Sequence, residues 1–283
     1  ATVTLAALLT ALLSLSMEGV QMFLPARIAS NVDLLTNSAG ALVGAIAAPL
    51  LSPSGFPGRR LAALRHHWFI PGTLADAGLV IVLLWLLTHL HPTAQSFGTG
   101  YLRATFDLPA YFAHAPQLLV LAEAAVVFFN LLGLGLLISA LTRGAPRPLA
   151  LIAAVVAAGL LIKSIAAVAL LKSPTPLSWL TPGVALGLLA GGILLNPLSR
   201  APRQAKIAVA ALCFCAAIAA INLAPENPYQ TLPPQLLAGG TSHFLSFSSI
   251  IRALSELWPF LTIGYLLVTA GAGSYAISGK SAT

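Results

Sequence analysis

The sequence predicts an all-α fold, a polytopic membrane helix bundle of about eight transmembrane helices with both termini cytoplasmic. Three observations predict it. The 283-residue chain is 58% hydrophobic and 7% charged, with a mean hydropathy of +0.92. A soluble domain carries about 25% charged residues, so this chain has too few to cover a surface facing water. Its apolar residues fall in runs near the roughly 20 residues that a helix needs to cross a bilayer. Pro and Gly punctuate the joints between runs, as at Pro53, Pro57, Gly58, Pro146, Pro174, Pro176, Pro197 and Pro202.

The runs, in order, are 1–24, 33–51, 71–91, 116–140, 148–171, 177–195, 205–222 and 250–272. The first begins at Ala1 with no basic region before it, which does not fit a cleavable signal peptide. The chain is therefore expected to be a fragment whose natural beginning is missing. Pro25 ends this run, and the second run is short and Gly-rich, as in a tilted or re-entrant helix. Gly40 and Gly44 within it form a small-xxx-small pattern that lets a neighbouring helix approach closely. Residues 52–70 are expected to form a basic cytoplasmic loop, which separates the first two helices from a six-helix transmembrane module over 71–283. The last run carries Arg252 and Glu256 at i, i+4, and Trp258 is expected to act as an interfacial anchor.

Orientation follows from the Lys/Arg bias of the loops. Alternate loops hold Arg59, Arg60, Arg65, Arg143, Arg147, Arg200, Arg203, Lys206 and Lys280, against Arg27, Arg103, Lys172 and Arg252 on the other side. The richer set is assigned to the cytoplasm, so the Arg27 turn and the loops 92–115 and 223–249 face out. The net charge of +7 lies in short loops, without a basic stripe interleaved with aromatics, so no nucleic-acid partner is expected. Cys213 and Cys215, two residues apart on a helix, point to different sides and read as buried small hydrophobes. No metal-ligand spacing appears, and no metal or other cofactor is expected.

Polar groups in such a chain mark the places to examine. Glu18 and Gln21 share one face of the first helix, and Asp33 and Asn37 share one face of the second, with Arg27 in the turn between them. They are read either as an outward-facing pocket for an anionic group or as a structural clasp in which Arg27 satisfies Glu18 and Asp33. Glu123 and Lys163 lie at similar depths, about 10–12 Å below the outer ends of adjacent spans. They are expected to form an intramembrane ion pair, with Asn130 below; the alternative is that Lys163 snorkels outward alone. Asp76 is expected near the cytoplasmic arginines, which would also attract anionic lipid. His243 has no nucleophile or acid near it in sequence, and no catalytic residues are assigned.

The pattern Glu18-x-x-Gln21-x-x-x-Pro25-x-Arg27, followed by Asp33-x-x-x-Asn37-x-x-Gly40, resembles the VanZ-like family. That family is named for a protein that gives low-level resistance to the glycopeptide teicoplanin. The resemblance implies that 1–51 is the C-terminal half of a VanZ-like helical unit in a longer bacterial member lacking its N-terminal helices. It implies a multi-pass protein of the bacterial cytoplasmic (inner) membrane with an envelope role. Its partners would be membrane lipids and a lipid-linked cell-wall precursor, bound through Glu18, Gln21, Arg27, Asp33 and Asn37. Ala26 departs from the family, which has Gly before the Arg. The 227–229 and 258–260 segments look similar to extra helices of longer members. Competing readings are a transporter or lipid flippase, a membrane enzyme using Glu18 and Asp33, and a structural subunit of a larger assembly.

Overall fold

The computed structural model describes residues 40, 42–46, 48, 52, 55–90, 97–106, 108–109, 111–112, 115–143, 148–171, 175–177, 179–225 and 242–278. All regular elements among the described residues are helices. The chain divides into two compact units, Ala1–Trp68 and Phe69–Thr283.

In the first unit, residues 40, 42–46 and 48 are helical, and α1 spans Phe56–Trp68. The segment 52–70, expected as a loop, is therefore mostly helix. Pro57 occupies the first turn, where its missing N–H has no intrahelical partner to lose. No Gly or Pro then interrupts residues 59–68, and Arg65, His66 and His67 in the last turn suit the negative end of the helix dipole. Leu61, Leu64 and Trp68 fall on one stripe, flanked by Arg60 and Arg65. Leu61 and Leu64 are exposed, and the Arg60 guanidinium lies 4.4 Å from the centre of the Phe56 ring. The close helix approach expected at Gly40 and Gly44 is not seen among the described residues, since a Cβ at either would meet nothing within 4 Å.

The second unit contains α2 (Thr73–Thr88), a single-turn α3 (Leu102–Thr105), α4 (Pro116–Leu141), α5 (Pro148–Leu171), α6 (Pro182–Leu198), α7 (Arg203–Leu223) and α8 (Ser242–Ser278). Among the described residues, four stretches are long and apolar enough to cross a membrane: Pro116–Leu141, Pro148–Ala169, Arg203–Leu223 and Ile250–Ala272. Helices α2 and α6 are apolar but shorter. The start of α6 falls five residues after that of the expected run 177–195, because Thr181 caps it by accepting the Val184 N–H and Pro182 pre-sets its first turn.

Helix α4 is the centre of this unit. Of its most apolar stretch 78% is buried, against 28% for α5 and 33% each for α7 and α8. Every residue from Asn130 to Leu141 is buried, as expected for a helix that is apolar all round and enclosed by protein. Helix α6 lies directly on α4 through Gly183, Gly187 and Gly191. A Cβ on Gly187 would stand 2.6 Å from the Ala124 carbonyl oxygen, and one on Gly183 would stand 2.7 Å from that of Val120. These small residues let the two backbones approach. Against another part of α4, the Phe214 ring of α7 fills the space beside Gly133.

The end of α4 is closed by cations from α7. Lys206 Nζ donates to Ser139 Oγ at 3.0 Å, and Arg203 Nε donates to the Ala140 carbonyl at 3.2 Å. Both cations lie where the last carbonyls of α4 carry negative partial charge. Trp258, expected as an interfacial anchor, is instead fully buried. Its indole N–H donates to the Ile81 carbonyl of α2 at 2.8 Å, and its ring meets Phe214 edge-on at 5.3 Å. A buried indole usually finds such an acceptor, and packing of α8 on α2 and α7 outweighs the ring's preference for the membrane surface. Cys213 is buried, but Cys215, expected as a second buried small hydrophobe, is exposed, because residues two apart on a helix point to different sides.

Candidate functional site

Glu18, Gln21, Arg27, Asp33 and Asn37 lie outside the described residues. The other two predicted site residues belong to the second unit, and the structure gives them different neighbours. Thr181, at the head of α6, donates its hydroxyl to Glu123 Oε2 at 2.6 Å while accepting the Val184 N–H. Glu123 thus sits at the positive end of α6, where a carboxylate is favoured. Lys163 lines a small cavity with Thr88, His89, Phe97, Gly98, Thr99 and Ser255. Asn130, predicted to lie below the pair, accepts a hydrogen bond from Thr99 Oγ1 at 3.5 Å and donates to the Val126 carbonyl of its own helix.

The cavity measures about 10 Å³ and its polar walls are buried: Lys163 is 2% exposed, Thr99 3%, Thr88 and His89 4%, and Ser255 6%. Two of its walls have causes in the local sequence. Thr88 and His89 end α2, and the Thr88 hydroxyl donates to the Trp85 carbonyl at 2.6 Å. His89 Nδ1 lies 3.0 Å from the same carbonyl oxygen. A carbonyl can only accept, so Nδ1 carries the proton; burial of the ring disfavours a charged imidazolium, and the neutral ring keeps a lone pair on Nε2. That Nε2 is buried without a hydrogen-bond partner. Trp85 and Phe97 pack against the imidazole and against each other, with ring centres 4.3 and 5.9 Å from it and 5.5 Å apart.

The second of these walls is the segment that begins at Phe97. Phe97 has φ 61°, a left-handed conformation uncommon for a bulky residue, and its ring is buried to 1% exposure. Gly100, at φ 79°, donates its N–H to the Ser255 carbonyl at 3.1 Å and accepts from Asn222 Nδ2 at 2.8 Å. Ser255 has that carbonyl to offer because the helical donor four residues on would be Pro259, which has no N–H. Arg103, expected in an outer loop, is buried to 7% exposure. It donates to the Ala224 carbonyl at 2.6 Å, to the Asn222 carbonyl at 3.4 Å and to the Tyr101 hydroxyl at 2.9 Å. Its guanidinium thereby caps the end of α7.

Sequence reasoning singled out Lys163 and missed His89, Thr99 and Ser255. One local signal was available: Trp85 and His89 are four apart on α2, and so share a face. The convergence of that face with Lys163 and Ser255 depends on packing between distant helices. Among the described residues no group of three or more His, Cys, Asp or Glu is placed to hold a metal ion.

Residues 1–52 match the family model described as VanZ/LLP1. No curated protein matches the chain, and no solved structure does. The matched segment is the one that carries Glu18, Gln21, Arg27, Asp33 and Asn37, and the spans of the second unit follow it in sequence. The chain is thus a membrane protein whose N-terminal segment is VanZ-like.

Proposed function

We propose that the protein acts at the bacterial cell envelope as a multi-pass protein of the inner membrane. In this reading it binds an anionic lipid headgroup or a lipid-linked cell-wall precursor through Glu18, Gln21, Arg27, Asp33 and Asn37, and so influences glycopeptide susceptibility. The observation that carries it is the coincidence of the VanZ/LLP1 match with the segment that holds all five residues. Arg27 is the group suited to phosphate or carboxylate, because its planar fork donates two parallel hydrogen bonds. Helix α1 extends the same reading. Its exposed Leu61 and Leu64, flanked by Arg60 and Arg65, suit an amphipathic helix lying at a surface of anionic lipid. The test compares teicoplanin susceptibility of cells producing the wild type or Arg27→Ala at equal membrane levels. Lost protection in the variant supports the pocket, and protection equal to wild type from a folded variant rejects it.

A second reading, transport or lipid scrambling, is favoured by one observation: Lys163, His89, Thr99 and Ser255 form a polar cavity beside a candidate span. Ionisable groups inside a membrane often belong to transport pathways. Lipid scrambling or ion flux in proteoliposomes that is lost with Lys163→Met would favour it over the first.

A further inference from the structure

We infer that the cavity between α2, α5 and α8 is a binding site for a single water molecule, held between His89 Nε2 and Lys163 Nζ, that joins α2 to α5. Size sets the ligand. A volume of about 10 Å³ is at the lower bound for one water, and excludes a phosphate or any organic headgroup. Polarity sets it too, because an apolar occupant would leave the His89 lone pair unsatisfied.

The hydrogen bonds can be assigned from the groups in the walls. The Trp85 carbonyl fixes the proton on His89 Nδ1, so Nε2 can only accept, and the water donates one O–H to it. Lys163 Nζ can only donate, and the water oxygen accepts from it. Thr99 Oγ1 already donates to Asn130 Oδ1, which leaves its oxygen to accept the second O–H of the water. Three hydrogen bonds is the usual complement of a buried water. The site is built to keep this arrangement: the His89 ring packs with the Trp85 and Phe97 rings in one cluster, and Thr99 is held by the neighbouring Gly100–Ser255 hydrogen bond.

Solid-state NMR of the 15N-histidine-labelled full chain in lipid bilayers tests this. Polarisation transferred from water should reach the unprotonated nitrogen of one imidazole, at a shift moved from that of a free acceptor, and this signal should be lost in His89→Asn. Lys163→Met and Thr99→Val should each weaken it. Transfer to His89 Nε2 directly from Lys163 Nζ, or a His89 Nε2 at the free-acceptor shift without transfer from water, would overturn the inference. The wild-type measurement decides the question even if a variant fails to fold.

Discussion

The Gly100 N–H donates to the Ser255 carbonyl at 3.1 Å, across 155 residues of sequence, through an acceptor that Pro259 releases from the ladder of α8. A proline inside a helix leaves the carbonyl four residues back without its usual donor. Here that carbonyl becomes the attachment point for the segment forming one wall of the cavity. Replacing Pro259 with Ala supplies a competing N–H from within α8. Faster hydrogen exchange at the Gly100 amide is the expected result, and unchanged exchange would show that other contacts hold the segment.

Gly100 itself is constrained twice. Its φ of 79° suits glycine, and a Cβ would stand 2.9 Å from Pro259 Cγ. Gly100→Ala is expected to destabilise the protein by about 1–3 kcal/mol, measured as a lowered melting temperature in detergent.

The glycine stripe of α6 makes an internally controlled prediction. Gly187→Ala forces a methyl group against the Ala124 carbonyl and should cost about 1–3 kcal/mol through overpacking. Gly192 has nothing within 4 Å of an added Cβ, so Gly192→Ala should be neutral or stabilise by up to about 1 kcal/mol. Equal effects of the two substitutions would count against close α4–α6 contact.

Thr181 has two tasks, as cap of α6 and as donor to Glu123. Thr181→Val removes both and is expected to cost about 1–3 kcal/mol, whereas Thr181→Ser should restore most of the loss. Because Glu123 and Lys163 sit among different neighbours, the losses from Glu123→Gln and Lys163→Met are expected to add in the double mutant. Recovery of stability in the double mutant would instead establish an ion pair between them.

Arg103 closes the end of α7 with several hydrogen bonds from one guanidinium. Arg103→Ala leaves the Asn222 and Ala224 carbonyls without that donor and should lower stability by about 1–3 kcal/mol. Arg103→Lys keeps the charge but loses the planar fork, so thermal unfolding should show only partial rescue.

Much of the second unit could be read from the sequence, because apolar runs bounded by Pro and Gly are strong local signals. The run expected at 148–171 coincides with α5, and the one at 116–140 differs from α4 by one residue. The basic segment before Trp68 forms a helix because residues 59–68 contain no Gly or Pro, a feature its charge obscures. The contacts that shape the cavity were less legible. Arg103 and Trp258 look like surface residues until the carbonyls of Ala224 and Ile81 are seen beside them. Gly183, Gly187 and Gly191 recur every four residues, and only tertiary structure shows that Gly183 and Gly187 meet the α4 backbone.

The position of α4 has a consequence for biosynthesis. The helix that ends innermost is made before the helices that enclose it: α4 ends at Leu141, whereas α6 starts at Pro182 and α7 at Arg203. During translation, Glu123 exists before the hydroxyl of Thr181 that satisfies it. The nascent chain thus passes through a stage in which a polar-bearing span awaits its cover, and that stage is where chaperoning within the membrane would matter most.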